Sequence, residues 1–196
     1  MATVQFYFDY VSPYSYLAQT QFAGLGLDVD YRPITAIDVM AVVNNQPSPK
    51  CPAKLNYALR DTTRWAERYG VPLALNLDWW RAFESGALTM RPFARGALAA
   101  LQLGYFPGYH KAIFEAIWAQ PRDVGSERGR HSLLEDARLP AAEIWRLAET
   151  PEFDALLDEA NKAAAEAGVF GVPIFVVGQE MFFGNDRLDF VKEYAA

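Results

Sequence analysis

Cysteine is almost missing from this chain of 196 residues, since Cys51 is the only one. One cysteine forms neither an internal disulfide nor a CxxC pair, so the sequence excludes a dithiol oxidoreductase. Histidine is nearly as scarce: the chain has two, and no spacing of His and Cys matches a zinc site. The sequence therefore predicts no metal, and this cysteine usage is typical of a reducing compartment.

The chain also lacks a basic block and a long apolar run. It carries 24 acidic and 18 basic residues, for a formal net charge of −6. Such a surface does not attract nucleic acid or an anionic membrane, and no stretch is long and apolar enough to span a bilayer. The first residues show neither the basic nor the apolar region of a signal peptide. We expect a cytoplasmic protein without nucleic-acid or membrane partners.

Apolar residues are abundant: 52% of the chain is hydrophobic and 14% is aromatic, enough for a substantial core. Residue periodicity and turn signals predict a strand, a helix and a strand at the start, and a helix, two strands and a helix at the end. These elements are strand 3–8, helix 14–23, strand 28–32, helix 151–167, strands 172–177 and 180–183, and helix 187–194.

The middle of the chain is predicted to be all helical. The helices are expected at 54–69, 91–103, 107–119, 130–137 and 140–149. This order of elements is that of an α/β, thioredoxin-like fold with a large all-helical insertion. The predicted thioredoxin-like domain comprises residues 1–37 plus 151–196, and the inserted helical domain comprises residues 38–150.

Ser12 is the first candidate for chemistry, because it lies at a strand-to-helix junction directly before Pro13. The ordinary interpretation is an N-cap followed by a proline at the first helical position. The functional interpretation is that the hydroxyl donates a hydrogen bond to a thiolate brought by a ligand to the positive end of the helix. One hydroxyl group can do both.

Two further motifs lie near the end of the chain. Val172-Pro173 is either an ordinary strand start or a cis-proline loop beside Ser12 that pairs with an extended peptide. The turn 183–186 is either a simple helix cap or a site for a carboxylate, with Asp186 holding an ammonium group. Carboxylate and ammonium together describe the γ-glutamyl end of glutathione.

The predicted helix 54–69 places Lys54, Tyr57 and Asp61 on one face. A polar stripe of this kind is either solvated surface or the wall of a site. No catalytic role is assigned to Cys51.

These motifs resemble those of the 2-hydroxychromene-2-carboxylate isomerases and the kappa-class glutathione transferases. The segment 6–18, from Phe6 to Ala18, is similar to their N-terminus, and 168–173 and 184–188 are similar to their two C-terminal signatures. The segment 52–65 is similar to a stretch of their helical domain. The resemblance implies a DsbA-like fold, glutathione as cofactor and a homodimer.

The resemblance also implies roles for individual residues. Ser12 would act in catalysis by hydrogen bonding to the glutathione sulfur, and Val172 and Pro173 would pair with the cysteinyl backbone. The γ-glutamyl end would be held by Phe183, Gly184, Asn185 and Asp186. The helical domain would contribute Asn45, Lys54 and Tyr57.

The leading hypothesis is therefore a glutathione-dependent cis-trans isomerase that acts on an aromatic 2-oxo acid or its hemiketal in the degradation of aromatic compounds. A kappa-like glutathione transferase or peroxidase is the nearest alternative, and a thioredoxin-fold binding module without chemistry is the third. An aromatic slot and a carboxylate anchor are suggested by Trp79-Trp80, Phe83, Arg91 and Arg95. Core packing and surface charge explain these residues equally well.

Overall fold

The fold is taken from a computed structural model, which describes residues 2–47 and 50–196. The strands are β1 (Val4–Phe8), β2 (Val29–Pro33), β3 (Ile174–Val177) and β4 (Glu180–Phe183). The first helices are α1 (Pro13–Gln19), α2 (Phe22–Leu25), α3 (Ala36–Val42), α4 (Pro52–Tyr69), α5 (Leu77–Glu84) and α6 (Arg91–Leu103). The later helices are α7 (Phe106–Trp118), α8 (Glu127–Asp136), α9 (Ala141–Ala148), α10 (Pro151–Glu166) and, after a 3₁₀ turn at Asn185–Arg187, α11 (Leu188–Ala195).

The four strands form one mixed sheet in the order β2-β1-β3-β4. Strand β1 runs parallel to β2 and antiparallel to β3, and β4 returns antiparallel to β3. In this register Phe6 lies opposite Tyr31 on one side and Phe175 on the other. The predicted α/β class and four-stranded sheet are confirmed.

Both faces of the sheet are covered by apolar side chains. On one face the Phe6 ring lies 5.2 Å from that of Phe175 and 4.9 Å from that of Phe22. On the other face Ile174 packs in a cluster with Val39 and Val169. Coverage of both faces explains why β1 and β3 are rich in aromatic and β-branched residues at successive positions.

Three details of the predicted helices are wrong. The predicted helix 14–23 is divided into α1 and α2, with Thr20 ending α1 by donating its hydroxyl hydrogen to the Leu17 carbonyl at 2.6 Å. Helix α5 was not predicted; it begins where the Asn76 side chain accepts the Trp79 N–H at 3.1 Å. Helix α3 was not predicted either, because its β-branched residues have low helix propensity.

The chain divides into two compact units, Met1–Val71 with Ala160–Ala196, and Pro72–Glu159. The first unit contains the sheet. In the second unit, the Tyr109 hydroxyl on α7 donates to the Phe93 carbonyl of α6 at 2.9 Å. These boundaries lie elsewhere than the predicted ones at 37/38 and 150/151. The predicted division separates a thioredoxin-like part from a helical insertion, whereas the two units are defined by compactness. The predicted domains therefore stay a prediction.

Within residues 2–47 and 50–196, none of the helices combines the length and the apolar character that a membrane crossing needs.

Candidate functional site

Ser12 is the N-cap of α1. Its backbone is extended, with φ −96° and ψ 113°, and its Oγ accepts the N–H of Ser15 at 3.1 Å. The predicted cap is therefore confirmed. The same hydroxyl group donates to the Val172 carbonyl oxygen at 3.5 Å, the outer limit of a hydrogen bond. A stronger acceptor beside Ser12 would take this hydrogen while the cap stays in place.

The turn that carries Ser12 is held by Asp9, which is only 2% exposed to solvent. The Asp9 carbonyl accepts the Ser12 N–H at 3.1 Å. Its carboxylate accepts the N–H of Val11 at 3.1 Å and that of Ala36 at 2.7 Å. Burial raises the pKa of Asp9 from 3.8 to about 7, and the backbone N–H donors oppose only part of that rise. The sequence analysis missed Asp9; the available signal was a lone carboxylate at the end of a buried strand.

The peptide bond between Val172 and Pro173 is cis. The hypothesis of a cis-proline loop beside Ser12 is therefore confirmed, since the Ser12–Val172 contact brings the two segments together across 160 positions of sequence. The Pro173 carbonyl accepts the N–H of Gly184 at 3.0 Å. This bond ties the loop to the turn that follows β4.

That turn depends on glycine at position 184. Its φ is +104°, and a Cβ atom there would lie 2.5 Å from Asp186 Oδ1. Asn185 is buried, and its Nδ2 donates to the Tyr69 hydroxyl at 3.3 Å while that hydroxyl donates to the Asn185 carbonyl at 3.0 Å. Asp186 is half exposed and pairs with Arg187 at 2.7 Å. Asn185 therefore anchors the turn to α4, and Asp186 offers its carboxylate to solvent.

Asp61, which the sequence places on one face of the helix with Lys54 and Tyr57, has no role among those that the family resemblance implies. It lies on α4, and its carboxylate accepts the hydroxyl hydrogens of Tyr14 at 3.1 Å and Tyr57 at 3.2 Å. Burial and the neighbouring Asp61 charge raise the pKa of Tyr14, and the hydrogen bond to Asp61 raises the pKa of Tyr57. The Asp186 charge acts on both tyrosines. Two carboxylates therefore face one region, and each already has an arginine beside it, Arg64 at 3.9 Å from Asp61 and Arg187 at 2.7 Å from Asp186.

Asn45 and Lys54 occupy different surroundings. The Asn45 Nδ2 donates to the Phe170 carbonyl at 2.7 Å, and its Oδ1 accepts the Gln46 N–H at 2.8 Å. Asn45 thus joins the loop that leads to Val172. Lys54 is exposed on the first turn of α4.

The second unit contains the residues considered for an aromatic slot and a carboxylate anchor. Trp79 is 2% exposed and stacks on Phe83 at 5.6 Å. Arg91 donates to Asp154 and Asp158, each at 2.8 Å, and Arg95 donates to Asp154 at 3.1 Å. Core packing and ion pairing account for Trp79 and both arginines. In the described part of the chain, no three His, Cys, Asp or Glu side chains are grouped to hold a metal ion.

Comparison with known proteins places these motifs among relatives. The model of the DsbA-like thioredoxin domain matches residues 3–196. A 2-hydroxychromene-2-carboxylate isomerase of Sphingobium xenophagum is 34% identical, over 98% of this chain and 97% of that protein. Glutathione S-transferase kappa 1 of Rattus norvegicus is 24% identical, over 95% of this chain and 87% of that protein. A solved 2-hydroxychromene-2-carboxylate isomerase structure superposes with a TM-score of 0.83 at 27% identity, over 97% of this chain and 93% of the other.

Proposed function

The chain belongs to the DsbA-like thioredoxin family and to the family of the 2-hydroxychromene-2-carboxylate isomerases, and from this we propose that it is a glutathione-dependent isomerase of that type. The observation that carries the proposal is the pair of hydrogen bonds made by the Ser12 hydroxyl group. This group caps α1 and keeps its hydrogen only weakly engaged, 3.5 Å from the Val172 carbonyl. A thiolate is a charged acceptor, and hydrogen bonds to charged acceptors are about twice as strong as neutral ones.

The chemistry of the donor set fits glutathione. This tripeptide carries one thiol, two carboxylates and one ammonium group. Ser12 offers a hydroxyl to the sulfur, Lys54 offers a cation to one carboxylate, and Asp186 with Asp61 offers negative charge to the ammonium group. The Gly184 turn adds backbone N–H groups at the start of the 3₁₀ turn, where helical geometry leaves the first donors without intrahelical partners.

We assign the following roles to the residues of this chain. Ser12 and the N-terminus of α1 stabilise negative charge on the sulfur, and each unit by which they lower its pKa corresponds to about 1.4 kcal/mol. The backbone of Val172 orients the cysteinyl peptide, and the Asn45 bond to Phe170 holds the loop that carries Val172. Glutathione would supply a thiolate nucleophile whose addition to a conjugated carbon turns the double bond into a single bond that can rotate, and whose departure restores the double bond.

The reaction is tested by mixing the protein with a 2-hydroxychromene-2-carboxylate, with and without glutathione, and following the ultraviolet spectrum. We expect isomerisation that requires glutathione and leaves its concentration unchanged. Isomerisation at the same rate without glutathione would contradict the proposed need for glutathione. No isomerisation under either condition would contradict the proposed isomerase activity.

A kappa-like transferase or peroxidase is the second candidate, because the rat kappa-class relative matches 95% of this chain. Both activities need the same thiolate. Incubation with glutathione and a chlorinated aromatic compound separates them: stable conjugates with net loss of glutathione would favour the transferase. If calorimetry detected no glutathione binding at millimolar concentration, a binding module without chemistry would replace both.

The proposal includes a cytoplasmic location and a homodimer. The location is supported by the single cysteine, which is typical of a reducing compartment. The dimer is supported by the family resemblance alone, and sedimentation equilibrium would test it.

A further inference from the structure

Asp9 is a buried acidic residue outside the set of predicted glutathione contacts. It follows β1 directly, lies three residues before Ser12 and is 2% exposed. Acidic side chains are rarely buried this deeply without partners. The partners of Asp9 are backbone N–H groups, and they belong to two segments that border the Ser12 site.

The turn from β1 to Ser12 takes two of its hydrogen bonds from Asp9. The Asp9 carbonyl accepts the Ser12 N–H at 3.1 Å and closes a four-residue turn. Inside this turn, Asp9 Oδ1 accepts the Val11 N–H at 3.1 Å, which makes an Asx-turn. The main chain and the side chain of one residue therefore shape the backbone that carries Ser12.

The second carboxylate oxygen joins that turn to α3. Asp9 Oδ2 accepts the N–H of Ala36, the first residue of α3, at 2.7 Å. The preceding N–H, that of Thr35, donates to Asn161 Oδ1 at 2.9 Å. The start of α3 is thus fixed by a second long-range bond, and the turn that carries Ser12 is tethered to a fixed point.

The far end of α3 leads back to Ser12 through the loop before the cis peptide. The Asn45 N–H donates to the Met40 carbonyl at 2.8 Å, and the Asn45 side-chain amide donates to the Phe170 carbonyl at 2.7 Å. Phe170 is two residues before Val172, whose carbonyl accepts from Ser12 Oγ. A ring of hydrogen-bonded segments therefore surrounds the site, and the buried carboxylate is its link between the turn and α3.

We propose that Asp9 is a positioning residue, whose carboxyl group holds the Ser12 hydroxyl where it meets the glutathione sulfur. This inference rests on the proposed function, which brings a thiolate to Ser12. The bond from Ser12 Oγ to the Val172 carbonyl is 3.5 Å long, so a small shift of the turn decides which acceptor takes the hydrogen. Misplacement of a reacting group by about 1 Å can lower a rate by about a hundredfold.

The test titrates the ultraviolet absorbance of the thiolate of bound glutathione in wild type and in two Asp9 variants. Asp9→Asn keeps one acceptor oxygen, so it can retain only one of the bonds to the Val11 and Ala36 N–H groups; Asp9→Ala loses both. We expect the pKa of the bound thiol to rise in both variants. Asp9→Ala should form about tenfold less thiolate than the wild type at neutral pH, and Asp9→Asn should lie between the two.

The affinity for S-methylglutathione separates positioning from general damage to the binding site. This derivative has no ionisable thiol, so calorimetry should find it bound within about twofold of the wild-type affinity in the Asp9 variants.

Asp123→Ala is the matched control. The Asp123 carboxylate also accepts two backbone N–H groups, those of Gly125 at 3.1 Å and Ser126 at 3.0 Å, but in the second unit. This variant should leave the pKa of the bound thiol unchanged.

A bound thiol with the wild-type pKa in the folded Asp9 variants overturns the inference. An equal loss of affinity for glutathione and S-methylglutathione also overturns it, because the carboxylate would then support the whole binding site. If Asp9→Ala does not fold, Asp9→Asn decides the case, since it keeps the size of the side chain.

Failure of the proposed function is seen separately, in the wild-type protein. A wild type that does not bind glutathione as a thiolate overturns the proposed function and this inference together. A thiol pKa that depends on Asp9, in a protein without isomerase activity, would retain the positioning role and remove the isomerase.

Discussion

At the scale of single residues, Ser12 combines two hydrogen-bonding roles in one hydroxyl group. The oxygen accepts from Ser15, which satisfies one of the N–H groups that a helix start leaves unpaired. The hydrogen faces the Val172 loop at a distance where its bond is weak. Stability and chemistry therefore depend on different atoms of the same group, and substitution can separate them.

Ser12→Ala is expected to lower turnover by roughly one to three orders of magnitude, as for the loss of one donor to developing negative charge. It should also destabilise the protein by about 1 kcal/mol through the lost cap. The measurements are steady-state kinetics and urea unfolding.

Ser126→Ala is the matched control, because Ser126 caps α8 by accepting the Gly129 N–H at 2.9 Å. It should show a similar loss of stability with unchanged turnover. Wild-type rates in Ser12→Ala would contradict the assignment of Ser12 to the site.

Asp9 makes the free energy of unfolding depend on pH. Its pKa is raised from 3.8 to about 7 in the folded protein. Between these values the unfolded chain has lost the proton and the folded protein keeps it. The folded state therefore binds more protons, and stability falls as pH rises from about 4 to about 7. The full effect is roughly 4 kcal/mol, at 1.36 kcal/mol per pKa unit.

Asp9→Asn should remove this dependence, since an amide does not titrate. Urea unfolding from pH 4 to pH 8 measures the difference in free energy of unfolding between wild type and variant. As pH rises over this range, the difference should shift by several kcal/mol in favour of the variant. Asp78→Asn provides the control, because the Asp78 side chain is 97% exposed. Parallel curves for wild type and Asp9→Asn would show that Asp9 titrates normally.

At the scale of secondary-structure elements, α3 forms because other parts of the chain cap it. The Thr35 N–H donates to Asn161 Oδ1 at 2.9 Å, and the Ala36 N–H donates to Asp9. Asn161 Nδ2 in turn donates to Thr35 Oγ1 at 2.6 Å. These acceptors lie 126 and 27 residues away, and the local contribution is the N-cap Thr35, whose Oγ1 donates to Asp38 Oδ2 at 2.6 Å.

Asn161→Ala should destabilise the protein by about 1–3 kcal/mol, because it leaves the buried Thr35 N–H without its acceptor. Hydrogen exchange should accelerate over residues 35–42 more than in α4. Lys162→Ala is the neighbouring control; its side chain is 77% exposed, so a change within about 0.5 kcal/mol is expected. Unchanged exchange in α3 would contradict the capping role of Asn161.

At the scale of the whole molecule, every predicted glutathione contact lies in one of the two compact units. These residues fall between positions 12 and 57 and between 172 and 186, all within Met1–Val71 and Ala160–Ala196. A ligand bound only by the folded state stabilises that state by mass action. Because the contacts lie in one unit, bound glutathione should protect that unit from hydrogen exchange more than the other.

Glutathione at about 100 times its dissociation constant should stabilise the fold by about 2.7 kcal/mol. Hydrogen exchange should slow most around residues 9–16, 170–174 and 183–187. It should slow least in the second unit, Pro72–Glu159. Dithiothreitol at the same thiol concentration is the control and should protect neither unit. Protection confined to the second unit would place the site elsewhere.

The local pattern of the chain was enough for the strands, most helices and the Ser12 cap, and it offered the cis-proline loop as one of two interpretations. The first three depend on neighbours in sequence, such as a run of β-branched and aromatic residues or a Ser-Pro pair. Tertiary structure alone decided the rest, because the deciding partners are distant. The Asp9 carboxylate accepts the first N–H of α3, the Tyr14 hydroxyl donates to Asp61, and Asn45 donates to the carbonyl of Phe170. No short-range pattern records these hydrogen bonds, because they join residues 27, 47 and 125 positions apart.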